Sequence, residues 1–337
     1  MPEPSPSSQR RGRLFRFGAA LMVLLAVAGY LAVQYVTGGT GGPGCKVVSG
    51  KGDGATYEFT PEQAVNAATI TAVGTARGLP ERAVTIALAT ALQESGLRNI
   101  DYGDRDSLGL FQQRPSQGWG TPKEIMDPAY AAEKFYEHLV KVPGYTRLPL
   151  TVAAQRVQRS GFPQAYAKHE PDATLLAAAL TGRSAATLTC AGRPAATRAA
   201  GPDAIRAALV RDFGRDVVEP AGAQVSGAGV RGAAATPTPT ASGPGGSDGR
   251  TVLLPVTADT GAATGRSLRQ RGWQLAHWAV ANASELHIAR VSYAGREWTA
   301  GNTDSQWRPA EGDQAAGAER DGGGEQDAGT VRIVTAQ

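Results

Sequence analysis

Cysteine and histidine are scarce in this chain: 337 residues include two of the first and four of the second. Two cysteines exclude a disulfide-dense framework and a zinc-ribbon cluster. His277 and His287 share no helix face at a metal-ligand spacing, so no metal and no cofactor is expected. An excess of charge is missing too. The 34 basic residues stand against 30 acidic ones, a net charge of +4, which excludes a whole-chain nucleic-acid binder. Only one apolar stretch is long enough to span a bilayer, which excludes a polytopic transporter. No internal repeat is present. What the chain does hold is 42% hydrophobic and 19% charged residues, a globular balance, with 43 Gly and 21 Pro that point to linkers. Its length suggests two domains.

The apolar stretch, residues 17–36, carries no charge and follows Arg10, Arg11, Arg13 and Arg16 in the basic tail 1–16. By the positive-inside rule this pattern predicts a transmembrane signal anchor with a cytoplasmic N-terminus. A cleaved secretory signal is the competing reading. Either one sends residues 37–337 out of the cytoplasm, and the anchor makes the chain a single-pass protein of the cell membrane. A Gly-rich spacer, 37–44, leads to Cys45, and Cys190 lies far downstream. In an oxidising compartment the two can form a disulfide; two free, partly buried thiols are the alternative.

Composition then divides the chain. Residues 45–213 read as mostly helical and Ala-rich. Residues 214–250, with Thr-Pro-Thr-Pro-Thr and Ser-Gly-Pro-Gly-Gly, cannot bury a core and read as a linker. Residues 251–337 regain strand and helix patterns as a small α/β domain. In the first region Thr60-Pro61-Glu62-Gln63 is a capping box that starts a helix running to Gly78. A second helix spans 81–95, apolar nearly all round and ended by Gly96. Further helices fit 127–141, 150–159, 171–180 and 202–213.

Glu94 stands out. A carboxyl in the last turn of a buried helix feels desolvation and the negative end of the helix dipole, and both favour its neutral form. A general acid working near neutral pH requires that shift. Downstream, Gly109-Leu110-Phe111-Gln112 offers close backbone approach, two inward apolar groups and an amide. Trp119, between two glycines, offers an aromatic face for a pyranose ring. Asp101, Asp104 and Asp106 lie in the loop between and supply either a second carboxylate or local turns. The loop lacks the bidentate Glu of a calcium hand, since Gln112 stands twelfth from Asp101.

Together, Gln93-Glu94-Ser95-Gly96-Leu97 followed by Gly109-Leu110-Phe111-Gln112 resembles the Glu-Ser and Gly-Leu-Met-Gln motifs of the soluble lytic transglycosylases, a family that includes goose-type lysozymes. The resemblance covers 45–213. A third family motif, Ala-Tyr-Asn, has its place taken by residues 153–161, with Gln158 where the Asn would stand, and Phe111 replaces the family's Met. The resemblance implies a mainly α, lysozyme-like domain behind the transmembrane helix. It also implies that Glu94 protonates the bond between N-acetylmuramic acid and N-acetylglucosamine in peptidoglycan. Ser95, Gln112, Trp119 and Gln158 would then contact the glycan strand. A hydrolase needs a second carboxylate; a lytic transglycosylase uses the sugar's own 6-hydroxyl, so one Glu suffices. The alternative is a domain of the same fold that binds wall glycan without cleaving it.

In the C-terminal region, 251–256 and 330–335 read as strands, 266–286 as a helix, and 288–293 with 296–300 as a hairpin. Trp273, Trp278, Trp298 and Trp307 are expected in its core rather than on a glycan-binding surface. Residues 310–328, with six acids among glycines, read as a disordered insertion. The region resembles an accessory module of secreted bacterial cell-wall enzymes, which implies no activity of its own.

Overall fold

Strands of only a few residues frame the helical part of the chain. In the computed structural model, which describes residues 44–159, 163–192, 201–218, 249–257, 265–301, 306–310 and 329–336, β1 (Cys45–Val48) pairs antiparallel with β2 (Thr56–Phe59) and with β3 (Leu188–Cys190), in the order β2-β1-β3. Cys45 and Cys190 stand opposite each other in the β1–β3 register and are disulfide-bonded.

Helix α1 (Pro61–Ala76) starts at the expected capping box: the Gln63 N–H donates to Thr60 Oγ1 and the Thr60 N–H donates to Gln63 Oε1. Helix α2 (Glu81–Ser95) is buried continuously from Ala83 to Leu92. Thr85 and Thr90 fit into that environment because their hydroxyls donate to the carbonyls of Glu81 and Ile86, one turn back. Gly96, at φ 64°, closes α2 with a left-handed cap. Around it lie α3 (Pro122–Ile125), α4 (Pro128–Leu139, capped by Asp127), α5 (Leu150–Gln158), a 3-10 turn at Pro163–His169, α6 (Glu170–Leu180) and α7 (Gly201–Phe213).

The C-terminal segments form an antiparallel sheet of β4 (Thr251–Pro255), β5 (Ile288–Tyr293), β6 (Arg296–Thr299), β7 (Arg308–Pro309) and β8 (Thr330–Thr335), ordered β4-β8-β5-β6-β7. Helix α8 (Leu268–Ala281), followed by the short α9 (Ala283–Leu286), packs on this sheet. Gly272 lets it approach: a Cβ there would lie 2.0 Å from Cζ of Tyr293. The same helix also meets the first region. Gln274 donates to Thr75 Oγ1 at 2.6 Å, and the buried His277 ring accepts from the Thr187 N–H and donates to the Ala179 carbonyl. Desolvation pushes His277 down to about 4, so the ring is neutral. Trp278 donates to Asp212, Trp298 to the Cys190 carbonyl and Trp307 to the Leu188 carbonyl. All four tryptophans of this region are buried, as the sequence led us to expect. The described residues belong to one compact unit.

The expected fold class is corrected on two points. The expected mainly α character, with a small C-terminal α/β domain added, is replaced by a mixed composition: about half of the described residues are helical and two sheets are present. Strands as short as β1 and β3 leave no readable alternation, and a strand pairing between positions about 145 apart has no local signal. The second correction concerns the membrane. Among the described residues no helix is long and apolar enough to cross a bilayer. The longest, α1, has 16 residues and is packed inside the fold, against the about 20 that a span requires. The single-pass membrane architecture and localisation are not retained. The stretch 17–36 that prompted them lies outside the described residues, as do most of the linker and residues 311–328 of the acidic insertion.

Candidate functional site

Glu94 sits in the last turn of α2, half-buried, and its neighbours follow from local rules. Ser95, next on the helix, is buried; its hydroxyl donates to the Ala91 carbonyl and to the Leu110 carbonyl at 2.8 Å. That bond fastens the Gly109-Leu110-Phe111-Gln112 loop to the helix end that carries Glu94. The loop closes on itself through Leu108 and Gln113, whose backbone groups exchange two hydrogen bonds. Gly109 is required there: its φ is +73° and a Cβ would lie 2.8 Å from the Ile125 carbonyl. Leu110 and Phe111 point into the core, and Phe111 stacks on Phe135 at 4.7 Å.

From the other side, Gln158 ends α5 and donates to the Phe111 carbonyl at 2.6 Å. Its side chain also hydrogen-bonds the Glu94 carboxyl. Tyr166, fully buried in the 3-10 turn, donates to Glu94 Oε1 at 2.5 Å. Desolvation raises the carboxyl above its ordinary value, and the bonds from Tyr166 and Gln158 offset part of that rise. The result is a held, partly dehydrated carboxyl with one face toward a cleft of about 820 Å³.

Of the residues singled out from sequence, Glu94, Gln112, Trp119, Gln158 and Asp104 line that cleft. Trp119 packs edge-on against His138 at 4.3 Å. Gln112, at φ +48°, donates to the Tyr102 and Gly109 carbonyls. Ser95 does not line the cleft and acts from behind it. The three loop aspartates separate. Asp106 accepts from the Ser116 N–H at 2.8 Å and from Arg114 at 2.7 Å, and bonding from Ser116 first and Arg114 next holds it far below the usual carboxylate range. It shapes the loop. Asp101 is exposed and away from the cleft, which leaves Asp104 as the only one of the three on its wall. Among the described residues no group of three or more His, Cys, Asp or Glu could hold a metal ion. A separate hollow of about 700 Å³ beside α1 and α9 has its Arg211 already paired with Asp212 at 2.8 Å and holds no carboxyl of the Glu94 kind.

Sequence reasoning missed Tyr166. The signal was available: Ala165-Tyr166 matches the first two residues of the Ala-Tyr-Asn pattern and begins four residues beyond the segment 153–161 chosen for its place. Gln158 and Tyr166 both reach the carboxyl, one from each end of that stretch.

Among known proteins, the family model described as the VldE C-terminal domain is similar to residues 242–320. That region carries β4, α8, β5, β6 and β7 and none of the Glu94 cleft. No curated protein matches the chain.

Proposed function

We propose that this chain cleaves the glycan strands of peptidoglycan between N-acetylmuramic acid and N-acetylglucosamine, with Glu94 as general acid and then base. The carrying observation is the Glu94 carboxyl itself: half-buried, raised by desolvation, held by Tyr166 and Gln158, and open to a polar cleft. Such a group is protonated at a higher pH than a solvated Glu and can give its proton to a leaving oxygen. The walls suit a sugar, since Trp119 presents an aromatic ring and Gln112 and Gln158 present amides. The motif resemblance points the same way.

A single carboxyl favours the transglycosylase route. Glu94 protonates the glycosidic oxygen as the C1–O bond breaks. The sugar's 6-hydroxyl oxygen then bonds to C1 and returns its proton to Glu94. The product is a 1,6-anhydro sugar, no water is consumed, and Glu94 ends as it began. Two-carboxylate hydrolysis would have to draw on Asp104, since Asp106 is engaged within its loop.

Digestion of purified peptidoglycan with the full chain, read by mass spectrometry, separates the outcomes. Anhydro-muropeptides are expected. Products about 18 Da heavier, from one added water, would mean hydrolysis and point to Asp104. Glycan binding without any product would mean a wall-binding protein instead.

A further inference from the structure

The hollow of about 700 Å³ opens where α1, the start of α4, α7 and α9 come together. It shares no lining residue with the Glu94 cleft. Glu62, Val65, Asn66 and Thr69 recur at helical spacing and turn one face of α1 toward it. Asn66 is the unusual member of that face. It is 5% exposed, and only its Nδ2 is bonded, to the Leu97 carbonyl at 2.8 Å. A carbonyl only accepts, so this bond fixes the amide's orientation and leaves Oδ1 on the other side. No group among the described residues donates to that oxygen. Asn99 Oδ1 and Ser284 Oγ, in the same wall, are sealed without a partner; Asn66 Oδ1 is not sealed and opens on the hollow. A buried acceptor without a donor is costly, and a ligand N–H removes that cost.

Charge points the same way. Three carboxylates line the hollow, Glu62, Asp127 and Glu285, with Lys123 and Arg211 as its cations. Arg211 already donates to the buried Asp212 at 2.8 Å, and Glu285 and Asp127 are also within its electrostatic reach. With Asp212 counted, four acids stand against two cations, in a chain that nets +4. The local excess is therefore opposite in sign to that of the whole chain. Among the described residues no group of three His, Cys, Asp or Glu could hold a metal ion, so these carboxylates do not converge on one point. Acceptors spread in this way suit a group with several N–H donors. Val65, Met126 and Pro128 give the hollow an apolar side that suits a hydrocarbon stem.

We propose that this hollow is a second ligand site, taking a primary alkyl ammonium whose N–H groups donate to Asn66 Oδ1 and to the carboxylates of Glu62 and Glu285, with its stem against Val65, Met126 and Pro128. The proposal does not rest on the glycan-cleaving reading. Two sources share the chemistry: a free small amine, and the side-chain amine of a peptide.

The test is calorimetric binding of three probes to the full chain: cadaverine, the neutral pentanediol of the same length, and a Gly-Lys-Gly peptide blocked at both ends. Cadaverine or the peptide is expected to bind at least about tenfold tighter than the diol, because only an ammonium makes charge-assisted bonds here. Glu62→Gln with Glu285→Gln changes two exposed side chains, keeps the fold, and should weaken that binding about fivefold. Asn66→Leu should weaken it at least about tenfold. That variant also loses the bond to Leu97, so it is read only where its thermal unfolding matches the wild type; otherwise the carboxylate pair decides. Binding of cadaverine alone assigns a free amine, of the peptide alone a peptide side chain, and of both the amine group itself; each supports the proposal. Binding of neither amine, equal binding of the diol, or amine binding that ignores Glu62 and Glu285 overturns it.

Discussion

Glu94→Gln is expected to lower glycan cleavage by roughly 10²–10⁴-fold, the usual worth of a positioned general acid, and to leave the fold intact. The amide keeps the shape of the side chain and still offers an oxygen to the Tyr166 hydroxyl and the Gln158 amide. It cannot release a proton to the glycosidic oxygen or take one from the 6-hydroxyl. Folding should be unharmed, because the substitution removes a desolvated ionisable group and leaves Ser95 free to hold the Leu110 carbonyl. The check is cleavage rate beside thermal unfolding on the same preparation. A variant that unfolds as the wild type does and still cleaves would remove Glu94 from the mechanism.

The second large effect is on stability. The Cys45–Cys190 bond closes a loop of 145 residues, and in the chain-entropy model a loop of that length contributes about 5 kcal/mol. That is a large share of the about 5–15 kcal/mol that holds a domain folded. The bond lies where the two regions meet: it joins β1 to β3, and β3 supplies the carbonyls of Leu188 and Cys190 to Trp307 and Trp298. Loosening β3 therefore also loosens the seat of the C-terminal sheet. Cys45→Ser with Cys190→Ser, or reduction of the wild type, is expected to lower Tm by about 10–20 °C. An unchanged Tm in protein whose two thiols have been titrated as free would contradict this.

Much of the helical part was legible because its signals are local. Thr60 and Gln63 sit three apart and cap each other; Gly96 ends α2 where a left-handed residue was needed. The four tryptophans of the C-terminal region were legible as core. The β1–β3 strand pairing was not, because its register is set between positions far apart in the chain. The packing of the C-terminal helix against the first region was not legible for the same reason. Gln274 meeting Thr75, and His277 meeting Ala179, are contacts that no window of sequence contains. In the site, Glu94 and the Gly109-to-Gln112 loop could be read from motif and spacing. The roles of the three aspartates could not, since only the fold shows that Asp106 is consumed by Ser116 and Arg114. Tyr166 was passed over because a lone tyrosine reads first as core, and it is core; its hydroxyl alone reaches the cleft's carboxyl.

On the function proposed above, Glu94 works as a proton donor because the fold raises its pKa. Carbon-13 titration of the Glu94 carboxyl, made alongside the pH profile of kcat/KM for peptidoglycan cleavage, tests it directly. Desolvation dominates over the two hydrogen bonds, so the carboxyl should titrate above its ordinary value of 4.5. The proton-donating form is lost as pH rises through that midpoint, so one limb of kcat/KM should fall there with increasing pH. Tyr166→Phe removes a bond that favours the ionised form, so the midpoint and the limb should both move to higher pH. A Glu94 that titrates at or below 4.5, or a cleavage rate that does not follow its protonation, would contradict the account.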